Sequence, residues 1–194
     1  MSGSPPSAAE SARAPLRRQL LLQRDVFVAD LEVAASAALD HHLAEVLGDL
    51  MPRCLGGYWP IRSEFNPWTV LDGHKALRQL TRALPWASRQ PRAMHYRLWN
   101  GAAPPVLDEC GIPSTRGAEV VPDVILVPCI GYTREGWRLG YGGGYFDRYL
   151  AEHREAVTIG VAWSCGEIPV EAFVPRLHDR PLSLIVTERE LIGR

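Results

Sequence analysis

Short apolar strands alternating with helical segments predict an α/β protein: a single three-layer domain with a mostly parallel central sheet and helices on both faces. Three stretches carry this reading. Asp123 to Pro128 is a continuous apolar run behind one acidic residue, the pattern of a strand buried on both faces. Val157 to Ala162 and Leu184 to Thr187 repeat that pattern. A helical segment from about Gly144 to His153 separates the first two, as a strand–helix–strand unit requires.

Taken in order, the chain opens on small and turn-forming residues, and 1–12 reads as a disordered leader ahead of one domain over 13–194. Leu16, Leu20 and Phe27 recur at helical spacing, with a start near Pro15, a residue suited to a first turn. Asp30 is a candidate cap for a second helix through Leu31, Ala35, Leu39, Leu43, Val46 and Leu50, stopped by Pro52. Gly57 to Ile61 reads as a short strand, and 73–83 reads as helical. Met94 to Trp99 alternates in the manner of a half-buried strand. Residues 101–118 are rich in Gly and Pro and read as loop.

Composition narrows the function. The chain has 194 residues and a net charge of -1, with 21 Lys and Arg against 22 Asp and Glu. That balance argues against a nucleic-acid partner held by bulk charge. Lys75 is the only lysine, and Ala76 follows it, so the Gly-Lys-Ser/Thr of a P-loop is excluded. No apolar run reaches the roughly 18 residues of a membrane span. Cys54, Cys110, Cys129 and Cys165 show no C-x-x-C spacing, and read as reduced thiols of a cytoplasmic protein.

The most informative segment runs from Gly136 to Arg148. Gly140, Gly142, Gly143 and Gly144 remove side chains that would block a ligand, and allow positive φ so that N–H groups converge on an anion. A helix N-terminus follows, where free N–H groups favour phosphate. Arg138 and Arg148 flank the loop with guanidinium forks, and Asp147 is placed to share a magnesium ion with substrate phosphates. The spacing is not that of a dinucleotide fingerprint, because Tyr145 stands where the last glycine would be.

Asp123 to Leu150 closely resembles the signature of the 5-formyltetrahydrofolate cyclo-ligase family, also called methenyltetrahydrofolate synthetases. The matching features are a buried Asp-to-Pro strand followed by Arg138-Leu139-Gly140-Tyr141-Gly142-Gly143-Gly144-Tyr145-Phe146-Asp147-Arg148. Arg13 to Arg17 is similar to the family's N-terminal element, and Tyr58 to Glu64 to a strand ending in a substrate-contacting glutamate. His178-Asp179 and Ile185 to Glu188 are similar to its C-terminal end.

The resemblance implies a cyclo-ligase: ATP-dependent closure of 5-formyltetrahydrofolate to 5,10-methenyltetrahydrofolate, with ADP and phosphate released. It implies ATP contacts from Arg13, Arg17 and the loop Arg138, Leu139, Gly140, Tyr141, Gly142, Gly143, Gly144, Tyr145 and Phe146. It implies folate contacts from Trp59, Glu64, Tyr141, Gly142, Gly143, Gly144 and Tyr145, magnesium (Mg2+) on Asp147 and Asp179, and catalytic roles for Tyr145 and Arg148. The expected partners are the two small-molecule substrates, with no nucleic acid or membrane, acting on a monomer. Arg13 stands where the family has lysine, and Asn66, Thr133 and Ser183 replace common acidic residues. Those departures motivate the alternative, a catalytically silent folate- or nucleotide-binding paralogue.

Overall fold

The computed structural model describes residues 8–30, 33–176 and 179–193. Four helices, α1 (Ala8–Ala29), α2 (Val33–Leu50), α3 (Trp68–Gly73) and α4 (Tyr145–Glu152), surround an eight-stranded sheet. The strands are β1 (Cys54–Gly56), β2 (Thr81–Arg89), β3 (Arg92–Trp99), β4 (Val106–Leu107), β5 (Pro113–Ser114), β6 (Glu119–Val120), β7 (Val124–Pro128), β8 (Gly131–Tyr132), β9 (Arg138–Leu139), β10 (Val157–Val161), β11 (Leu184–Val186) and β12 (Leu191–Gly193). The large sheet has the order β12-β11-β10-β7-β1-β2-β3-β6, while β4–β5 and β8–β9 form separate pairs.

The central strands β11, β10, β7, β1 and β2 are parallel, and β12, β3 and β6 add antiparallel edges. The expected three-layer arrangement is present. Along β7, Val124 and Leu126 face one core with Leu39, Leu43 and Leu47 of α2 and Val70 and Leu71 of α3. Ile125 and Val127 face the other, with Tyr149 and Leu150 of α4. All five β7 residues are buried, because a strand with helices on both sides has no wet face. A third cluster joins Leu20 of α1 to Ile130, Leu139, Ile168 and Phe173, so α1 packs over the segment that follows β7.

Several local expectations are corrected. The first helix begins at Ala8, so residues 8–12, assigned to the leader, are helical, and Pro15 lies inside α1. Residues 1–7 lie outside the described set, as do Leu31 at the start of the second helix and His178. The strand expected at Gly57 to Ile61 is displaced upstream to Cys54–Gly56. A Cβ on Gly57 would stand 2.4 Å from the Trp68 ring, so an aromatic occupies the space beside the chain there. Residues 73–83 are not one helix. Lys75–Leu77 makes a single 3-10 turn, and from Thr81 the chain extends to pair with β1.

Candidate functional site

Sheet topology locates the site. From β1 the sheet grows through β2 on one side, and from β7 it grows through β10 on the other. The chain therefore leaves β1 and β7 in opposite directions, opening a crevice at their carboxyl ends. The segment after β1 carries Trp59 and Glu64, and the segment after β7 carries the glycine loop. They enclose a cavity of about 410 Å³, of a size to take a small-molecule ligand.

The β8–β9 hairpin delivers the glycine loop to this crevice. Gly142 has φ +90° and Gly144, which caps α4, has φ +66°, conformations that side-chain-bearing residues rarely adopt. At Gly142 a Cβ would also meet the Arg17 guanidinium at 3.2 Å. The loop is thus bare on the side that α1 approaches.

α1 clamps the loop with arginines. Nε of Arg17 donates to the Gly140 carbonyl at 2.7 Å. Arg13 forms an ion pair with Asp179, donates to the Val174 carbonyl at 2.7 Å and lies 4.5 Å above the Phe173 ring. Asp179 accepts through both oxygens, Oδ1 from Arg13 at 3.2 Å and Oδ2 from the Arg176 N–H at 2.7 Å. At the base of the loop, Arg138 Nη2 donates to Asp147 Oδ1 at 2.6 Å.

Glu64 occupies the opposite wall. Its Oε2 accepts the Ile61 N–H at 2.9 Å, while buried Oε1 has no donor in hydrogen-bond geometry among the described residues. Burial raises its pKa. The Ile61 N–H, the facing Tyr141 hydroxyl and the charges of Arg24 and Arg62 oppose that rise without cancelling it. Tyr141 is pushed up to about 12 by burial and by the charge of Glu64, so it stays a neutral phenol. A buried carboxylate oxygen left without a donor is suited to a ligand N–H.

Arg13, Arg17, Trp59, Glu64, the residues from Arg138 to Asp147, and Asp179 all line this cavity. Arg148 is not on its wall. It is exposed, donates from Nη2 to the Gly143 carbonyl at 2.9 Å and lies 5.3 Å from the Tyr145 ring, bracing the loop from outside. Tyr145 does reach the cavity, its hydroxyl 3.1 Å from Cys110 Sγ.

The three departures are elsewhere. Thr133 is buried in the turn joining β8 to β9, Asn66 caps the Trp68 N–H at 3.2 Å, and Ser183 bonds Thr158 of β10. Sequence reasoning missed two arginines. Arg176 lines the cavity, and Arg24 is buried behind it at 2% exposure. For Arg24 a signal existed: it continues the stripe of Leu16 and Leu20 at a spacing of four, where an apolar residue is expected.

The model of the 5-formyltetrahydrofolate cyclo-ligase family matches residues 82–188. The chain belongs to that family. A cyclo-ligase from Mycoplasma pneumoniae is 44% identical over 43 residues, which are 22% of this chain and 26% of that protein. One from Escherichia coli K12 is 36% identical over 70 residues, 34% of this chain and 36% of its own length. The matched segments thus span between about a quarter and about a third of these curated relatives. Solved structures extend the likeness of fold. The Aquifex aeolicus 5,10-methenyltetrahydrofolate synthetase superposes with a TM-score of 0.69 at 24% identity, covering 93% of this chain and 92% of that one. The Mycoplasma pneumoniae synthetase gives 0.63 at 22%, covering 90% and 97%. The cyclo-ligase match takes in β7, the glycine loop and α4, the elements that build one wall of the cavity.

Proposed function

We propose that the protein closes 5-formyltetrahydrofolate to 5,10-methenyltetrahydrofolate at the expense of ATP. One observation carries the reading. The arginine-clamped glycine loop and the donor-seeking Glu64 open into the same cavity, which supports a reading in which phosphates and a pterin are bound side by side. Family membership supports the activity.

The formyl oxygen attacks the γ-phosphorus of ATP, and the bond to the ADP oxygen breaks. The N10 lone pair then adds to the formyl carbon, the carbon–oxygen bond to phosphate breaks, and the N10 proton leaves to solvent. Little covalent chemistry falls to the protein, so its contribution is position and charge. Arg13, Arg17, Arg138 and the loop N–H groups face the phosphates, while Glu64 accepts pterin N–H groups beside Trp59 and Tyr141. The Tyr145 phenol, raised above its ordinary pKa chiefly by the Cys110 contact, remains a proton donor beside the reacting groups.

No cluster of three or more metal-ligating side chains exists among the described residues, so an all-protein metal cage is not part of the reading. Magnesium bound largely through phosphates needs only one or two carboxylates, and Asp147 on the cavity wall fits that need. Magnesium there would neutralise charge on the phosphates. Asp179, with both oxygens engaged, suits holding Arg13 better than holding a metal. No described helix is long and apolar enough to cross a membrane. The four cysteines are free thiols, which fits the proposed cytoplasmic setting. The departures at Asn66, Thr133 and Ser183 do not reach the cavity, so they give the silent-paralogue reading no support.

The test follows methenyl absorbance with 5-formyltetrahydrofolate, omitting ATP or magnesium in turn. Product should form only when both are present. ATP consumed without methenyl product, or no turnover at all, would overturn the proposal.

A further inference from the structure

Arg13, Arg17 and Arg24 stand four and seven residues apart on α1, a spacing that puts all three on one side of the helix. The first two meet the loop and Asp179. The third is buried deeper, beside the opposite wall. Arg24 Nη2 donates to the Tyr141 hydroxyl at 2.8 Å, and its Nε donates to Ser63 Oγ at 3.1 Å. Ser63 precedes Glu64, and its carbonyl is fixed by the Trp163 indole N–H at 3.0 Å.

We infer that Arg24 is a positioning residue which locks Tyr141 and the Ser63–Glu64 segment together and holds a buried positive charge behind the folate-binding carboxylate. This rests on the proposed role of Glu64 in binding folate. The argument is one of geometry and charge. A guanidinium 2% exposed is costly to bury, and its forked donors here span segments 39 and 117 residues away. It does not line the cavity itself, so it acts through Tyr141 and Glu64. The groups that act on Glu64 are Arg24 from α1, Arg62 on its own segment, Tyr58 beyond β1, Cys129 beyond β7 and Tyr141 in the glycine loop. Arg24 and Arg62 are the cations of that set, and Arg62 is exposed. Removing Arg24 therefore withdraws the shielded positive charge.

The experiment measures binding of 5-formyltetrahydrofolate and, separately, of ATP, from about pH 5.5 to about pH 8.5, for wild type, R24Q, R24K and E64Q. R24Q, which loses both the fork and the charge, should bind folate several-fold more weakly at the alkaline end, and the loss should deepen to on the order of tenfold or more toward the acid end, where Glu64 without that charge takes up its proton first. R24K, which keeps the charge and loses the fork, should keep the wild-type pH profile and weaken folate binding several-fold at every pH. Neither should change the Kd for ATP more than about twofold. A uniform loss in R24Q across the pH range would reduce Arg24 to a structural residue. Should R24Q fail to fold, R24K still decides: an unchanged folate Kd, or equal losses for folate and ATP, overturns the inference. E64Q isolates the underlying reading, because wild-type folate binding in E64Q would refute the role of Glu64 whatever the Arg24 variants show.

Discussion

Arg138 and Asp147 close the glycine loop at its base. Nη2 of Arg138 donates to Oδ1 of Asp147 at 2.6 Å, with the arginine side chain 7% exposed, the aspartate 28%, and the Phe146 ring 5.6 Å from the guanidinium. Between them lie the four glycines, which have no side chains to anchor them. The ion pair therefore pins the two ends of a segment held elsewhere by Arg17 and Arg148.

That pairing sets the expected behaviour of Asp147→Asn. The amide keeps the shape but loses the charge that faces both Arg138 and the proposed magnesium. Turnover should fall about tenfold to a hundredfold, on the order of 1.5–3 kcal/mol, and the magnesium needed for half-maximal rate should rise. Rates measured against magnesium concentration check this. Wild-type rates at limiting magnesium would remove Asp147 from the metal site.

Glu64 carries a pH signature opposite to that of most carboxylates. Its folded pKa is raised, chiefly by burial, so the folded state holds its proton after the unfolded chain has released it. Stability from this group accordingly falls as pH rises from the ordinary carboxylate range through the raised folded value. Glu64→Gln should melt higher than wild type near neutral pH, with the gap closing in acid. Its kcat/KM for the folate should drop about tenfold to a hundredfold, since a hydrogen bond to a charged group is worth about 1.5–3 kcal/mol. Melting curves across pH and folate kinetics give the two readouts, and a melting gap that widens in acid would contradict the sign.

Arg13 and Asp179 should act as one unit. Arg13→Ala and Asp179→Asn are each expected to raise the KM for ATP about tenfold, and the double variant little further, because each removes the same contact. A double-mutant cycle measures this. Additive losses would mean that Asp179 works independently of Arg13, as a separate metal ligand would.

Two glycines separate site from scaffold. Gly142→Ala forces a side chain into φ +90° and against the Arg17 guanidinium, and should cost about tenfold or more in kcat/KM for ATP. Gly48 lies inside α2 with nothing within 4 Å of an added Cβ. Gly48→Ala should raise stability by about 0.5–1 kcal/mol, a few degrees in Tm, with activity unchanged. Thermal melts and ATP kinetics on both variants check the contrast.

The sequence by itself determined the elements whose signal is local. Val124 to Val127 read as a strand buried on both faces because every residue is apolar, and the glycine run read as a ligand loop because residues without side chains leave room for a ligand and permit positive φ, which Gly142 and Gly144 adopt. The resemblance also named the loop, Arg13, Arg17, Trp59, Glu64 and Asp179 on the cavity wall, but not the lining that β2, β3 and the β4–β5 turn supply through Pro85, Ala87, Met94, Asp108, Cys110 and Ile112. Tertiary structure decided what local pattern contradicts. β2 runs through Pro85, which cannot donate to the ladder, and extends because β1 and β3 pair with it on either side, while Ser114 Oγ donates to the Pro85 carbonyl. Arg148, adjacent to Asp147 in the motif, falls outside the cavity because successive residues of a helix point in different directions. Arg24 was not singled out from the sequence. Its burial depends on partners distant in the chain, Tyr141 and Ser63, and a charge enters a protein interior only when the fold brings its hydrogen-bond acceptors to it.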